Sequence, residues 1–250
     1  MVMSCALCQS NSPLQDSHII PEFFYAPLYH AIHRFQVVRI NALERQGFEQ
    51  KGTREKLLCK VCEQKLSAWE KYTKEAFCNG MGIKIEQAGE LVKLSNLDYK
   101  KFRLFLLSLL WRMGVSNSDF FSLVDLGSKH EEILRQALLK EDPLDPLQYP
   151  CLLSIVRNNG RLHLDQISQP MHVRNADGNH CYCLVINGML FLFYVASHSL
   201  PAIFAEACIN RKNQISIIIN EIQKIPILVE YVSDLKNAVV TRSKLGKNNL

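Results

Sequence analysis

The chain has 250 residues, 48% hydrophobic and 21% charged, which is enough apolar material for a sizeable core in one or two domains. A net charge of +5 is compatible with a polyanionic partner and far from proof of one. The longest apolar stretch, Phe102 to Val115, is too short for a bilayer and carries Arg103 and Arg112, and the start Met1-Val2-Met3-Ser4-Cys5 lacks the regions of a secretory signal. With nine cysteines, reduced thiols fit better than a disulfide framework, so the expectation is a cytoplasmic protein without a membrane partner.

The first feature in chain order is Cys5-Ala6-Leu7-Cys8, followed by Ser17-His18-Ile19-Ile20-Pro21. Pro21 to His33 reads as a short helix with Pro at its first position, and His30 and His33 on it read as exposed. Phe35 to Ile40 has β-type residues and is expected to pair near Gly47–Glu49. Cys59-Lys60-Val61-Cys62 then leads into a helix from Glu63 to Phe77, which Asn79-Gly80-Met81-Gly82 ends. Asp98 to Val115 is the strongest helix, with Phe102, Phe105, Leu106, Leu109, Leu110 and Met113 on a wide apolar face. Lys129 to Lys140 is a second, and the proline-rich segment from Asp142 to Pro150 is a connector. Beyond it, Leu152 to Val156, Tyr182 to Ile186 and Met189 to Ala196 are β-rich, and Asn187-Gly188 signals a two-residue hairpin. Ile215 to Asn220 reads as a strand or a buried turn, Val229 to Ala238 as helix, and the tail after Ser243 as frayed.

Two Cys-x-x-Cys pairs, Cys5/Cys8 and Cys59/Cys62, have the spacing of a tetrahedral zinc site in which four thiolates leave no open position, so the metal would be structural. Two unrelated pairs of buried thiols, or redox chemistry, are the alternatives. Cys181 and Cys183 alternate along a strand as core residues, and His180 beside them reads as a β-edge histidine rather than a ligand.

Knuckle, Ser17-His18-Ile19-Ile20-Pro21 and Leu57-Leu58-Cys59-Lys60-Val61-Cys62 together resemble the zinc-bearing HNH endonucleases over residues 3–78. The resemblance implies an N-terminal treble-clef-like ββα zinc module (1–80); together with the elements read above, the expectation is an α+β protein in which that module precedes a region of unknown role (90–245), helical over 98–140 and β-rich over 151–220. It also implies that His18 is a general base, with magnesium or manganese stabilising charge on a phosphodiester. The chain departs from the family pattern at three places. Ser17 stands where Asp or His usually precedes the base, Arg54 where Asn is common, and Glu63 where a metal-binding His often follows the fourth cysteine. Glu63 can replace that ligand, Arg54 can hold a phosphate, and Asp16, Glu22 or Glu70 can supply a further oxygen.

Lys51, Arg54, Lys56, Lys60 and Lys65 cluster around the second knuckle and suit phosphate contacts, although a solvated face explains any charge run. The C-terminal two thirds carries no P-loop, dinucleotide glycine pattern or nucleophile elbow. The expected function is cleavage of DNA, with RNA as the alternative substrate, in phage defence or a mobile element. The competing readings are a non-catalytic zinc module binding nucleic acid or protein, and an effector whose C-terminal region acts, assembles with itself or holds a protein partner.

Overall fold

The computed structural model describes residues 4–28, 35–38, 47–49, 52–78, 80, 82–162, 166–174, 178, 180–196, 205–230 and 233. The expected helix around His30 and His33, the end of the strand at Ile40, the turn residues Asn79 and Met81, most of Val229 to Ala238 and the tail after Ser243 lie outside them. The architecture is mixed α and β, and none of the described helices is long and apolar enough to cross a membrane.

Two sheets are present among the described residues. The small one pairs β1 (Leu14–His18) antiparallel with β4 (Arg54–Cys59). β4 runs directly into α2 (Lys60–Cys78), so the expected helix starts three positions early, at Lys60 rather than Glu63. Between the two strands lie the short helix α1 (Glu22–Tyr25) and the hairpin of β2 (Phe35–Val38) with β3 (Gly47–Glu49), which forms where it was expected.

The large sheet is mixed. In chain order its later members are β5 (Lys84–Ala88), β6 (Leu91–Ser95), β7 (Cys151–Asn158), β8 (Arg161–Leu162), β9 (Gln166–Ser168), β10 (Met171–Arg174), β11 (His180–Ile186), β12 (Met189–Val195) and β13 (Ile215–Glu221). Its central path runs β3-β2-β9-β11-β12-β7-β13-β6-β5, with β10 on β11 and β8 on β7. The β7/β13 and β2/β9 pairs are parallel and the others antiparallel. β2 thus carries the N-terminal third of the chain onto the C-terminal sheet. Asn187-Gly188 turns β11 into β12 with φ of 52° and 68°, as the sequence signal requires, and Ile186 pairs with Met189.

The helix α3 (Tyr99–Val115) is the centre of the molecule. Asp98 caps it by accepting from Lys101 N at 3.0 Å. Its interior is buried all round from Phe102 to Met113, including Arg103 and Arg112, as a core helix must be once it is apolar on every side. α2 packs on one flank and α4 (Gly127–Lys140) on another. One continuous apolar cluster runs from Cys5 and Leu58 through Leu66 and Phe105 to Phe191 and Ile217.

Candidate metal centre and active site

The sequence Cys5 to Ser10 folds as a tight knuckle. Gln9 N donates to the Cys5 carbonyl at 2.8 Å, and Cys5 N to Ser10 O at 2.9 Å. Ala6 N donates to Leu57 O at 3.0 Å and docks the knuckle on β4, while Arg135 of α4 holds the Leu7 carbonyl at 2.7 Å. Cys59 ends β4 and Cys62 lies in the first turn of α2, so the strand-to-helix junction presents both thiols towards the knuckle. The four sulfurs of Cys5, Cys8, Cys59 and Cys62 lie within 4.8 Å of one another, and Cys8 and Cys59 are 3.8 Å apart. Tetrahedral Zn–S bonds of about 2.3 Å separate their sulfurs by about 3.8 Å, so the cluster can hold a metal such as zinc.

The thiols differ in acidity. The Ser10 hydroxyl draws Cys8 down to about 6, whereas burial pushes Cys5 and Cys62 up. Without a cation, Cys5 and Cys62 would keep their protons. A bound cation would displace them, which couples metal binding to proton release.

The second group of polar residues lies on the same β1–β4–α2 frame. In register, His18 faces Arg54, Ser17 faces Glu55 and Asp16 faces Lys56, after an irregularity between Leu14 and Asp16. Ser17 is buried, and its hydroxyl donates to Glu63 Oε2 at 2.6 Å. His18 Nε2 is buried 2.5 Å from Glu22 Oε2, a close contact that is not aligned as a hydrogen bond. Arg54 Nη2 lies 3.6 Å from the same oxygen. Ile19 and Ile20 are fully buried and anchor the end of β1, and Pro21 then directs the chain into α1, which brings Glu22 back to His18.

Behind this group stands Arg112 of α3. Its Nη1 donates to the His18 carbonyl at 2.8 Å and meets Glu70 Oε1 at 2.7 Å, and its buried Nη2 has no partner. Burial first, and the Arg54 charge second, hold the His18 imidazole below its ordinary 6.5, against the pull of Glu22 and Glu70.

The structure brings some of the expected residues together. Glu63 meets Ser17, Arg54 stands opposite His18, and Glu70 is near enough to His18 to act on its charge while bound to Arg112. Asp16, Lys56 and Lys60 are exposed. Lys65 points to α4, where its ammonium donates to Leu139 O at 2.8 Å and lies 3.3 Å from Glu141. Two roles escaped the sequence reading. Glu22, expected as an oxygen donor to a metal, is the partner of His18, and its i+4 spacing was the available signal. Arg112 fastens the site from a distant helix, signalled only by a charge inside an apolar run.

No protein-family model matches this chain, and no curated protein or solved structure matches it.

Proposed function

We propose that the chain is a metal-dependent, HNH-like endonuclease that hydrolyses phosphodiester bonds of DNA. The observation that carries this reading is the juxtaposition on one β1–β4–α2 frame. His18 ends the first strand opposite Arg54, and Ser17 meets Glu63 at 2.6 Å beside the four-cysteine cluster. These are the places at which the resemblance puts the base, the phosphate-side residue and the metal ligands.

His18 would be the base. With Glu22 against buried Nε2, the proton is favoured on that nitrogen, which leaves Nδ1 as the lone-pair acceptor for a water proton. Depression below 6.5 keeps the ring neutral at neutral pH, as a base must be. Arg54, exposed at its tip, is placed to receive a phosphate oxygen. Glu63 and the Ser17 hydroxyl offer hard oxygen donors, a sufficient protein contribution for magnesium or manganese, which bind through one or two carboxylates plus substrate phosphate. When bound there, such an ion would neutralise charge on the phosphorane and the leaving oxygen. The cysteine cluster would hold zinc and fix strand to helix.

A second reading has its own observation. Each carboxylate of the site already has a partner, Glu63 with Ser17, Glu70 with Arg112 and Glu22 with His18. That supports a zinc module which binds nucleic acid or a protein without cutting. Plasmid cleavage with and without magnesium or manganese, comparing zinc-loaded wild type with zinc-loaded His18→Ala, separates the two. Divalent-dependent nicking lost in the variant is expected. Cleavage unchanged in the pure variant sinks the assignment of His18, and an inert wild type favours the binding module.

A further inference from the structure

The large sheet ends at β5, which pairs, among the described residues, with β6 alone. All five of its residues are exposed. Ile85 is 63% exposed, although Leu94, directly opposite it on β6 and so on the same face, is buried. An apolar side chain thus continues the core face of the sheet past the point where the fold covers it.

The neighbouring ladder fixes where the backbone of β5 points. Ile219 N donates to Glu90 O at 2.7 Å, so Glu90 turns towards β13. Alternation then turns Leu91, Lys93 and Ser95 towards β5, where they face Ala88, Glu86 and Lys84. Ile85 and Gln87 are left directing their N–H and C=O groups outward, and such a row is a template for another strand. Lysine on an edge commonly guards against this. Here Lys84 Nζ lies 2.6 Å from Glu86 Oε1, and the strand carries no net charge.

The order of those charges selects a partner. Antiparallel pairing of β5 with its own copy, centred on Ile85, sets Lys84 of each copy against Glu86 of the other. Centring on Glu86 would oppose two glutamates, and centring on Gln87 would run the pair into the Gly89-Glu90 turn. Opposite charges directly across a strand pair stabilise it and like charges oppose it.

We propose that β5 is a self-association edge, through which two copies of the chain pair antiparallel with Ile85 on the two-fold axis. The contact is isologous and closed, and it joins the two large sheets into one. Each Ile85 covers the other on the core face. On the opposite face Glu86 lies between Lys93 of its own chain and Lys84 of the second copy. One strand pair makes a small interface, so the dimer is reversible rather than permanent. The edge uses none of the residues of the nuclease reading and is independent of it.

Sedimentation velocity of the full chain, from about 1 μM to about 1 mM, covers the range in which weak complexes dissociate. A reversible monomer–dimer equilibrium is expected. Ile85→Pro removes an N–H that serves no bond within the monomer, so it should keep the fold, read by circular dichroism, and abolish the dimer. Glu86→Lys sets like charges against each other and should weaken association about tenfold, and the exchanged pair Lys84→Glu with Glu86→Lys should restore it. These charge variants lie on the exposed face and decide the question even where Ile85→Pro misfolds. A monomer across the whole range, a dimer that persists in folded Ile85→Pro, or an exchanged pair no tighter than Glu86→Lys would each overturn the proposal.

Discussion

Arg103 and Arg112 lie on the same helix and are equally hidden from solvent, yet the two ends of α3 work on different material. At the N-terminal end, Arg103 donates to backbone carbonyls of the connector, those of Tyr149 at 2.9 Å, Asp145 at 3.4 Å and Gln148. It ties down the segment that leads into the large sheet, and it touches no titratable group of the His18 site. At the C-terminal end, Arg112 divides itself between a carbonyl of the His18 strand and the carboxylate of Glu70. Just beyond, Glu55 of β4 accepts from Asn117 N at 2.9 Å, from Ser118 N at 3.2 Å and from the Ser116 hydroxyl. One end is a clamp made of neutral acceptors. The other is a charge network that fastens β1, β4 and α2 to the core. Both sheets share one apolar cluster, and the small one has this charge network and the four thiols in addition.

The sharpest way to break that comparison is through the metal cluster. Cys59→Ser should abolish stoichiometric zinc, read by elemental analysis, and should release the amides of β1, β4 and the first turns of α2 to hydrogen exchange. Structural zinc contributes on the order of 10 kcal/mol to small zinc-dependent folds, so the local effect is large. β7, β11 and β12 should keep their protection, since they carry none of the four cysteines and pair with one another through their own ladders. Simultaneous loss of protection in both sheets would show that the two regions unfold as one.

Next in size is the pair of arginines. Arg112→Met leaves Glu70 without its buried partner, a change worth about 3–5 kcal/mol when a buried pair is broken. Arg103→Met strands backbone carbonyls at about 1–3 kcal/mol each. Both should lower the denaturant midpoint. Only Arg112→Met should also shift the His18 titration measured by NMR, because only Arg112 holds the His18 carbonyl and Glu70. An equal shift in both variants would mean that α3 acts on the site merely through global stability.

These contrasts also explain what was legible in the sequence. α3 was readable because twelve of its residues are buried, and an apolar run with an Asp cap admits few other fates. The β11–β12 hairpin was readable because Asn187-Gly188 suits a turn with both φ positive. The cysteine cluster was readable from spacing, since a metal imposes its geometry on ligands far apart in the chain. The β5–β6 hairpin was not foreseen, because every residue of β5 is exposed and the strand lacks apolar alternation. The duties of Arg103 and Arg112 could not be read either. Their partners lie 46 and 94 residues away, and a lone charge in an apolar helix carries no mark of its destination.

A smaller effect should appear in pH dependence. His18 is held below 6.5 by burial and Arg54, so the neutral ring is favoured in the folded state. Its contribution is complete above the unfolded value near 6.5 and is lost as pH falls from there through the lower folded value. The acid limb of cleavage, or the His18 NMR titration, should therefore lie below 6.5. Arg54→Gln removes a lowering influence and should move it up. Glu22→Gln removes a raising influence and should move it further down. A midpoint at or above 6.5 in wild type, or shifts of the opposite sign, would contradict the arrangement around Nε2.

The smallest expected effect separates lysines that the sequence reading grouped together. Lys56 and Lys60 are exposed, while Lys65 is held by Leu139 O of α4 and by Glu141, which follows that helix. If the face around the second knuckle meets DNA, each lysine that neutralises a phosphate should take about 0.9 from the slope of log affinity against log salt when it is replaced by alanine. Lys56→Ala and Lys60→Ala should each do so. Lys65→Ala should leave the slope unchanged and instead cost at most about 1 kcal/mol of stability, the ordinary worth of a part-exposed ion pair. A slope change on Lys65→Ala alone would place the polyanion on the α2–α4 side, away from His18. That would part the binding face from the proposed cutting site.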